Sequence, residues 1–135
     1  MRIGLIAEQA GVNIETIRFY ERKGLVSQPP RPASGGVRQY LPETVARVRF
    51  IRQAQRLGFS LQEVEELLRL QASPLTDCAD VRSRATEKLA QVNEKLRELG
   101  AIQRALETLI QQCPGEGAVQ HCSILDALNT VEEGD

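Results

Sequence analysis

From Cys78 to Gln112 the chain runs without a proline, and Val81, Ala85, Leu89, Val92, Leu96, Leu99, Ile102, Leu106 and Leu109 or Ile110 recur at intervals of three and four. That spacing is close to a heptad seam and predicts one long helix over 78–112 with a single apolar stripe. The rest of the chain is too short and too polar to cover the stripe, so the pattern asks for a second copy of the same helix, a homodimer. Gly100 interrupts the run at about 1 kcal/mol relative to Ala. It marks either a close crossing of two helices or a break.

Upstream the periodic segments are shorter. Ile3 to Ala10 reads as a helix stopped at Gly11. In VNIETIRFYERKGL, Asn13 is a good N-cap, Ile14, Ile17 and Tyr20 or Glu21 follow at helical spacing, and Gly24 ends the run. Two helices joined by a tight turn make a helix-turn-helix pattern. Its second helix sets Glu15, Thr16, Arg18, Phe19 and Arg22 on or near the exposed face, with Ile17 and Leu25 facing the core.

The next stretch, VSQPPRPASGGVRQYLP, contains four prolines and a Ser34-Gly35-Gly36 turn. It predicts a small hairpin, a wing, with VRQY as its return strand. Arg38 and Tyr40 then share one face; Tyr40 either meets the phosphate backbone or packs on the domain core. TVARVRFIRQAQRLG predicts a third helix with Val45, Val48 and Ile51 or Arg52 along one side. Ser60-Leu-Gln-Glu63 is a capping box that opens a fourth helix through Leu70. Residues 71–77 link it to the long helix. The predicted organisation is a DNA-binding-type domain over 1–70, a connector over 71–77, the dimerisation helix over 78–112 and a loop with a short helix, SILDAL, within 113–135.

Composition sharpens this picture. Aromatics make up only 4% of the residues and Trp is absent, which suits helices packed with Leu, Ile, Val and Ala. The net charge of −1 conceals a split: residues 1–60 hold ten basic groups against four acids, and the remainder seven against fourteen. A basic front half fits a polyanion, because Lys and Arg displace counterions from phosphates. No apolar run approaches the roughly 18 residues of a membrane span. The start, MRIGLIAEQAG, has no signal-peptide pattern, so the expected location is the cytoplasm.

Three cysteines, Cys78, Cys113 and Cys122, remain. An odd count without a secretion signal argues against a disulfide framework. An unbroken helix separates Cys78 from Cys113 by about 50 Å at 1.5 Å per residue, so they cannot share a ligand within one chain. In an antiparallel dimer they can. Facing Cys78 with Cys113 matches Val81 with Ile110, Ala85 with Leu106, Leu89 with Ile102 and Val92 with Leu99, every pair apolar. Three converging thiolates suit a soft cation. A structural zinc site normally takes four ligands; His121 is either that fourth ligand or a solvent-facing loop residue. Cys78 and Cys122 each stand at a predicted helix start, which favours the thiolate.

With these residues in view, the chain resembles the MerR family of metal-responsive transcription regulators over nearly its whole length. The matching runs are IETIRFYERKGL, GGVRQY and RFIRQAQRLGFSLQEVEELL. The resemblance is greatest to the mercury-responsive branch, which places one cysteine at the start of the dimerisation helix and two around an eight-residue loop, as Cys78, Cys113 and Cys122 stand here. The copper(I) branch shares a CPGEG loop but has two cysteines and a serine at the place of Cys78. Zinc-responsive members share the CSILDAL segment but add loop ligands that this chain lacks. Lead- and cadmium-responsive relatives share the three cysteines.

The resemblance implies a mainly α fold: a winged helix-turn-helix domain, a long antiparallel coiled-coil helix and a short C-terminal metal-binding loop and helix. It implies a homodimer on double-stranded promoter DNA that activates RNA polymerase by distorting the spacer between promoter elements when the metal binds. The effector is Hg(II), with Pb(II), Cd(II) or Zn(II) as alternatives, held by Cys78, Cys113 and Cys122. The expected DNA contacts are Thr16, Arg18, Tyr20, Arg22, Arg38 and Tyr40, with Tyr20 alternatively in the core. From another class, a thiolate metal-buffering protein shares the cysteines but leaves the basic winged domain without a purpose. An enzyme is not expected, since there is no Cys-x-x-Cys motif and no evident base besides His121.

Overall fold

A computed structural model describes residues 1–130, so the end of the expected segment 113–135, residues 131–135, lies outside the described residues. The described residues form six α-helices and one 3-10 turn: α1 (Ile3–Ala10), α2 (Ile14–Arg22), α3 (Glu43–Arg56), α4 (Leu61–Ala72), α5 (Cys78–Gln112), the turn Val119–His121 and α6 (Ser123–Asn129). Residues up to Lys88 make one compact unit and those from Leu89 onward a second.

The first unit packs α1 against α2 and α3, and α3 against α4. Its centre is Ile6, Ile17, Tyr20, Val48, Ile51 and Val64, each almost wholly buried. Val45, Val48, Ile51 and Ala54 bury one face of α3 at three-residue steps, while Arg47, Arg49, Arg52 and Arg56 stay exposed. Truncating a branched core residue such as Ile51 to Ala costs roughly 2–5 kcal/mol.

Local chemistry sets the helix ends. Gly11 closes α1 in the left-handed region, φ 73°, and its N–H bonds back to the Ala7 and Glu8 carbonyls. A Cβ there would meet nothing within 4 Å, so the backbone conformation, not space, requires glycine. Asn13 Oδ1 accepts from the Thr16 N–H at 2.8 Å and caps α2. Ser60 and Glu63 form the reciprocal capping box of α4. The start of α5 has a related device: Asp77 Oδ1 accepts from the Ala79 N–H and Asp80 Oδ2 from the Asp77 N–H.

The wing differs from the expected hairpin. No strand is present among the described residues, and VRQY is not a return strand. Pro29, Pro30 and Pro32 remove the amide donors that a ladder would need. Tyr40 pairs its backbone with Met1 instead: its N–H donates to the Met1 carbonyl at 2.6 Å, and the Met1 ammonium donates to the Tyr40 carbonyl at 2.9 Å. Arg38 Nε donates to the Pro29 carbonyl at 2.8 Å and ties the two arms together.

Helix α5 continues through Gly100 without a break and contains no buried residue. Leu89, Leu96, Leu99, Ile102 and Leu106 are all more than half exposed, so its apolar stripe is uncovered within the chain. An exposed apolar stripe of this length marks an interaction surface.

Candidate nucleic-acid interface and thiol cluster

Helix α2 presents a polar face fixed by its own cap. The Thr16 hydroxyl donates to Asn13 Oδ1 at 2.8 Å, so Thr16 is oriented by the residue that starts the helix. Arg18 is exposed and reaches Glu15 at 3.0 Å. One turn on, Arg22 and Lys23 lie beside the half-buried Phe19 ring, 5.9 and 5.6 Å from its centroid. Such cation–π contacts fix the stems of basic side chains while their charges stay in water.

A groove of about 720 Å³ runs beside α2 and the wing. Arg2, Arg18, Arg31 and Arg38 line it against the single acid Glu21. The excess of guanidinium suits a phosphate-bearing ligand. Thr16, Arg18, Arg22 and Arg38, the residues singled out from the sequence, thus lie on α2 and the adjoining wing. Arg2 and Arg31 entered the sequence reading only as part of a charge count. Nothing in their local pattern set them beside Arg18; the turn of the wing and the start of α1 do so.

The two tyrosines are a correction. Tyr20 is only 1% exposed, and its hydroxyl donates to Gln55 Oε1 at 2.6 Å. Tyr40 is buried too, and its hydroxyl donates to Glu21 Oε2 at 2.9 Å. The sequence leaves DNA contact and core packing both open for these side chains, and the core is the observed place for one physical reason. Each ring fills the core of the first unit and each hydroxyl is satisfied by a protein acceptor. Burial, reinforced by the Glu21 carboxylate, pushes the Tyr40 phenol up to about 12. Burial also raises that of Tyr20, with Arg52 opposing the shift.

Other arginines of the basic half hold the fold together. Arg47 Nε donates to the Leu25 carbonyl at 2.9 Å, beyond the end of α2, and Arg49 donates to the Gln9 carbonyl in the last turn of α1. Both carbonyls lie at helix ends, where intrahelical donors run out.

At the other end of the sequence, Cys113 follows the last residue of α5 and Cys122 precedes α6. Gly115 and Gly117, with φ of 78° and 106°, let the intervening loop turn back. Ser123 Oγ donates to the Gln112 carbonyl at 3.1 Å and closes the loop. The Cys122 thiol is held below its ordinary range by the Leu125 N–H first, then by the Ile124 N–H, with a contact from the Cys113 thiol adding to the effect. Cys113 and Cys122 are therefore neighbours. Cys78, the first residue of α5, is exposed. Among the described residues no three His, Cys, Asp or Glu side chains gather into a metal-holding group. His121 is exposed on the 3-10 turn.

The chain matches the model of MerR HTH family regulatory proteins over residues 1–71 and that described as MerR, DNA binding, over 45–109. It is 43% identical over 133 residues to a mercuric resistance operon regulatory protein of Serratia marcescens, covering 98% of this chain and 90% of that one. Among solved structures it is similar to the transcription regulator PbrR691 of Ralstonia metallidurans in complex with lead(II). The TM-score is 0.82 at 34% identity, over 95% of this chain and 98% of that one. It is also similar to the regulator MerR of Bacillus megaterium in complex with mercury(II), at a TM-score of 0.71 and 34% identity, over 96% and 100% of the two chains. With a helix-turn-helix, a basic groove and these relatives in agreement, the chain belongs to the MerR HTH family of regulatory proteins and is a DNA-binding regulator of transcription.

Proposed function

We propose that this protein acts in the cytoplasm as a homodimer that binds promoter DNA and switches transcription in response to a soft divalent metal ion, Hg(II). Helix α2 of each protomer enters a major groove, with Thr16, Arg18, Arg22 and Arg38 meeting the duplex. Residues 1–70 form the DNA-binding domain, 71–77 the connector and 78–112 the dimerisation helix. The loop and short helix within 113–135 complete the metal site.

One observation carries the metal reading: Cys113 and Cys122 lie close together beyond one end of α5, Cys78 begins the other end, and the apolar stripe between them is uncovered among the described residues. Two adjacent sulfurs make an incomplete donor set for a tri-thiolate ion. An antiparallel second copy of α5 both covers the stripe and supplies Cys78 as the third donor. An all-sulfur set selects soft ions over Mg(II) or Ca(II). Similarity to a mercuric resistance regulator over almost the whole chain supports Hg(II). A second reading, Pb(II), is supported by the likeness to the lead-bound regulator. The metal's binding energy biases the bound dimer toward a form that distorts the spacer between promoter elements for RNA polymerase.

In vitro transcription with purified polymerase across Hg(II), Pb(II), Cd(II) and Zn(II) tests this. Hg(II) is expected to act at the lowest concentration. Equal response to a metal-free control in every arm would overturn the metal reading, and a lower threshold for Pb(II) would favour the second.

A further inference from the structure

The first three turns of α5 belong to the same compact unit as α1 to α4, yet no residue of α5 is buried. What connects them is charge. Arg84 Nη1 lies 2.9 Å from Glu66 Oε2, and Lys88 Nζ lies 2.8 Å from Glu63 Oε1. Arg84 and Lys88 are one turn apart on α5, and Glu63 and Glu66 nearly one turn apart on α4, so a pair of basic groups meets a pair of acidic ones.

The Lys88 contact is more than a surface ion pair. Its side chain is 13% exposed, its ammonium sits 5.6 Å from the Phe59 ring centroid, and its Cδ runs beside Gly58, where a Cβ would meet it at 3.8 Å. Its acceptor is fixed independently, because Glu63 Oε1 also takes the Ser60 N–H at 2.9 Å in the capping box of α4. One carboxylate oxygen thus caps the fourth helix and grips the fifth.

We infer that the Arg84–Glu66 and Lys88–Glu63 pairs form an ionic latch by which the long helix sets the placement of the DNA-binding unit, making Arg84 and Lys88 positioning residues for the metal response. The inference rests on the regulator reading above. A hydrophobic seam would lock α5 to α4 in one arrangement. Partly exposed charge pairs exchange partners with water readily and hold only while the geometry is right. They are thus suited to a junction that must adopt two arrangements, each biased by a ligand bound elsewhere.

The test uses the full-length protein with Arg84→Glu, the reversed pair Arg84→Glu with Glu66→Arg, and Lys88→Met, which keeps the aliphatic stem without the charge. Two readouts are taken. The first is amide hydrogen exchange over residues 61–66 and 79–88 without metal, expected to speed up on the order of tenfold in Arg84→Glu and Lys88→Met. The second is Hg(II)-induced transcription, expected to fall by about fivefold or more in both. Hg(II) stoichiometry and metal-free duplex affinity should stay within about twofold of the parent in both. The reversed pair should recover at least half of the response. Unchanged exchange, full induction in both single variants, or no recovery in a folded reversed pair would each overturn the latch. Should the parent protein itself ignore Hg(II), the metal reading fails and the exchange measurement alone decides the latch.

Discussion

The Tyr20 hydroxyl, on α2, donates inward to Gln55 Oε1 of α3 at 2.6 Å. A residue in the last turn of α2 thereby faces inward and ties that helix to the core. Tyr20→Phe is expected to lower folding stability by about 1 kcal/mol, since a buried acceptor loses its donor. Duplex affinity should be unchanged within about twofold, because neither phosphate nor base loses a contact. Denaturant unfolding and fluorescence anisotropy on the same preparation check both halves.

Arg18→Ala should behave in the opposite way. Arg18 is exposed, and its bridge to the still more exposed Glu15 contributes little to stability. The expected loss is in binding: weaker duplex affinity, and a slope of log affinity against log salt reduced by about one unit if the guanidinium meets a phosphate. A steep fall in stability with an unchanged salt slope would remove Arg18 from the interface.

The two tyrosines also give the protein an alkaline limit. The Tyr40 phenol is raised from the ordinary 10.0 to about 12, and that of Tyr20 is raised as well. The folded state therefore holds these protons more tightly than the unfolded chain. The resulting stabilisation is fully present below pH 10 and is lost as pH rises from about 10 toward about 12. Tyrosinate absorbance and helical circular dichroism should change together in that window. Early tyrosinate signal with intact helicity would contradict the buried placement.

Thiol geometry is open to a metal-independent check. Trivalent arsenicals such as phenylarsine oxide need two adjacent thiols. One equivalent per chain should bind to the parent protein and to Cys78→Ser, with binding weakened at least about tenfold in Cys113→Ser or Cys122→Ser, where one sulfur remains. Equal loss in all three variants would mean that Cys78 is already part of the same cluster.

These contrasts mark what sequence alone can carry. The α1–α2 pair, the α4 capping box and the length of α5 were legible because each rests on local signals: a left-handed Gly11, the Ser60–Glu63 spacing, and a proline-free run of apolar steps. For Tyr20 and Tyr40 the sequence leaves DNA contact and core both open, because an aromatic beside arginines has the same pattern whether it points out or in. Gln55 and Glu21 decide the direction, and they are 35 and 19 residues away. The return strand failed for a related reason. Turn residues and alternation were present, but the partner for the Tyr40 backbone is Met1, at the far end of the domain. For the thiols, the loop between Cys113 and Cys122 is short enough for spacing to foretell their meeting. Their relation to Cys78 belongs to the proposed dimer.

Because the wing is anchored at its root, by Met1 on Tyr40 and by Arg38 on Pro29, its two arms are held together without a strand ladder. Residues 33–36 hang from these fastenings as a brush head on a fixed handle, with Gly35 turning them back at φ 81°. A change confined to that tip should leave the helical scaffold still.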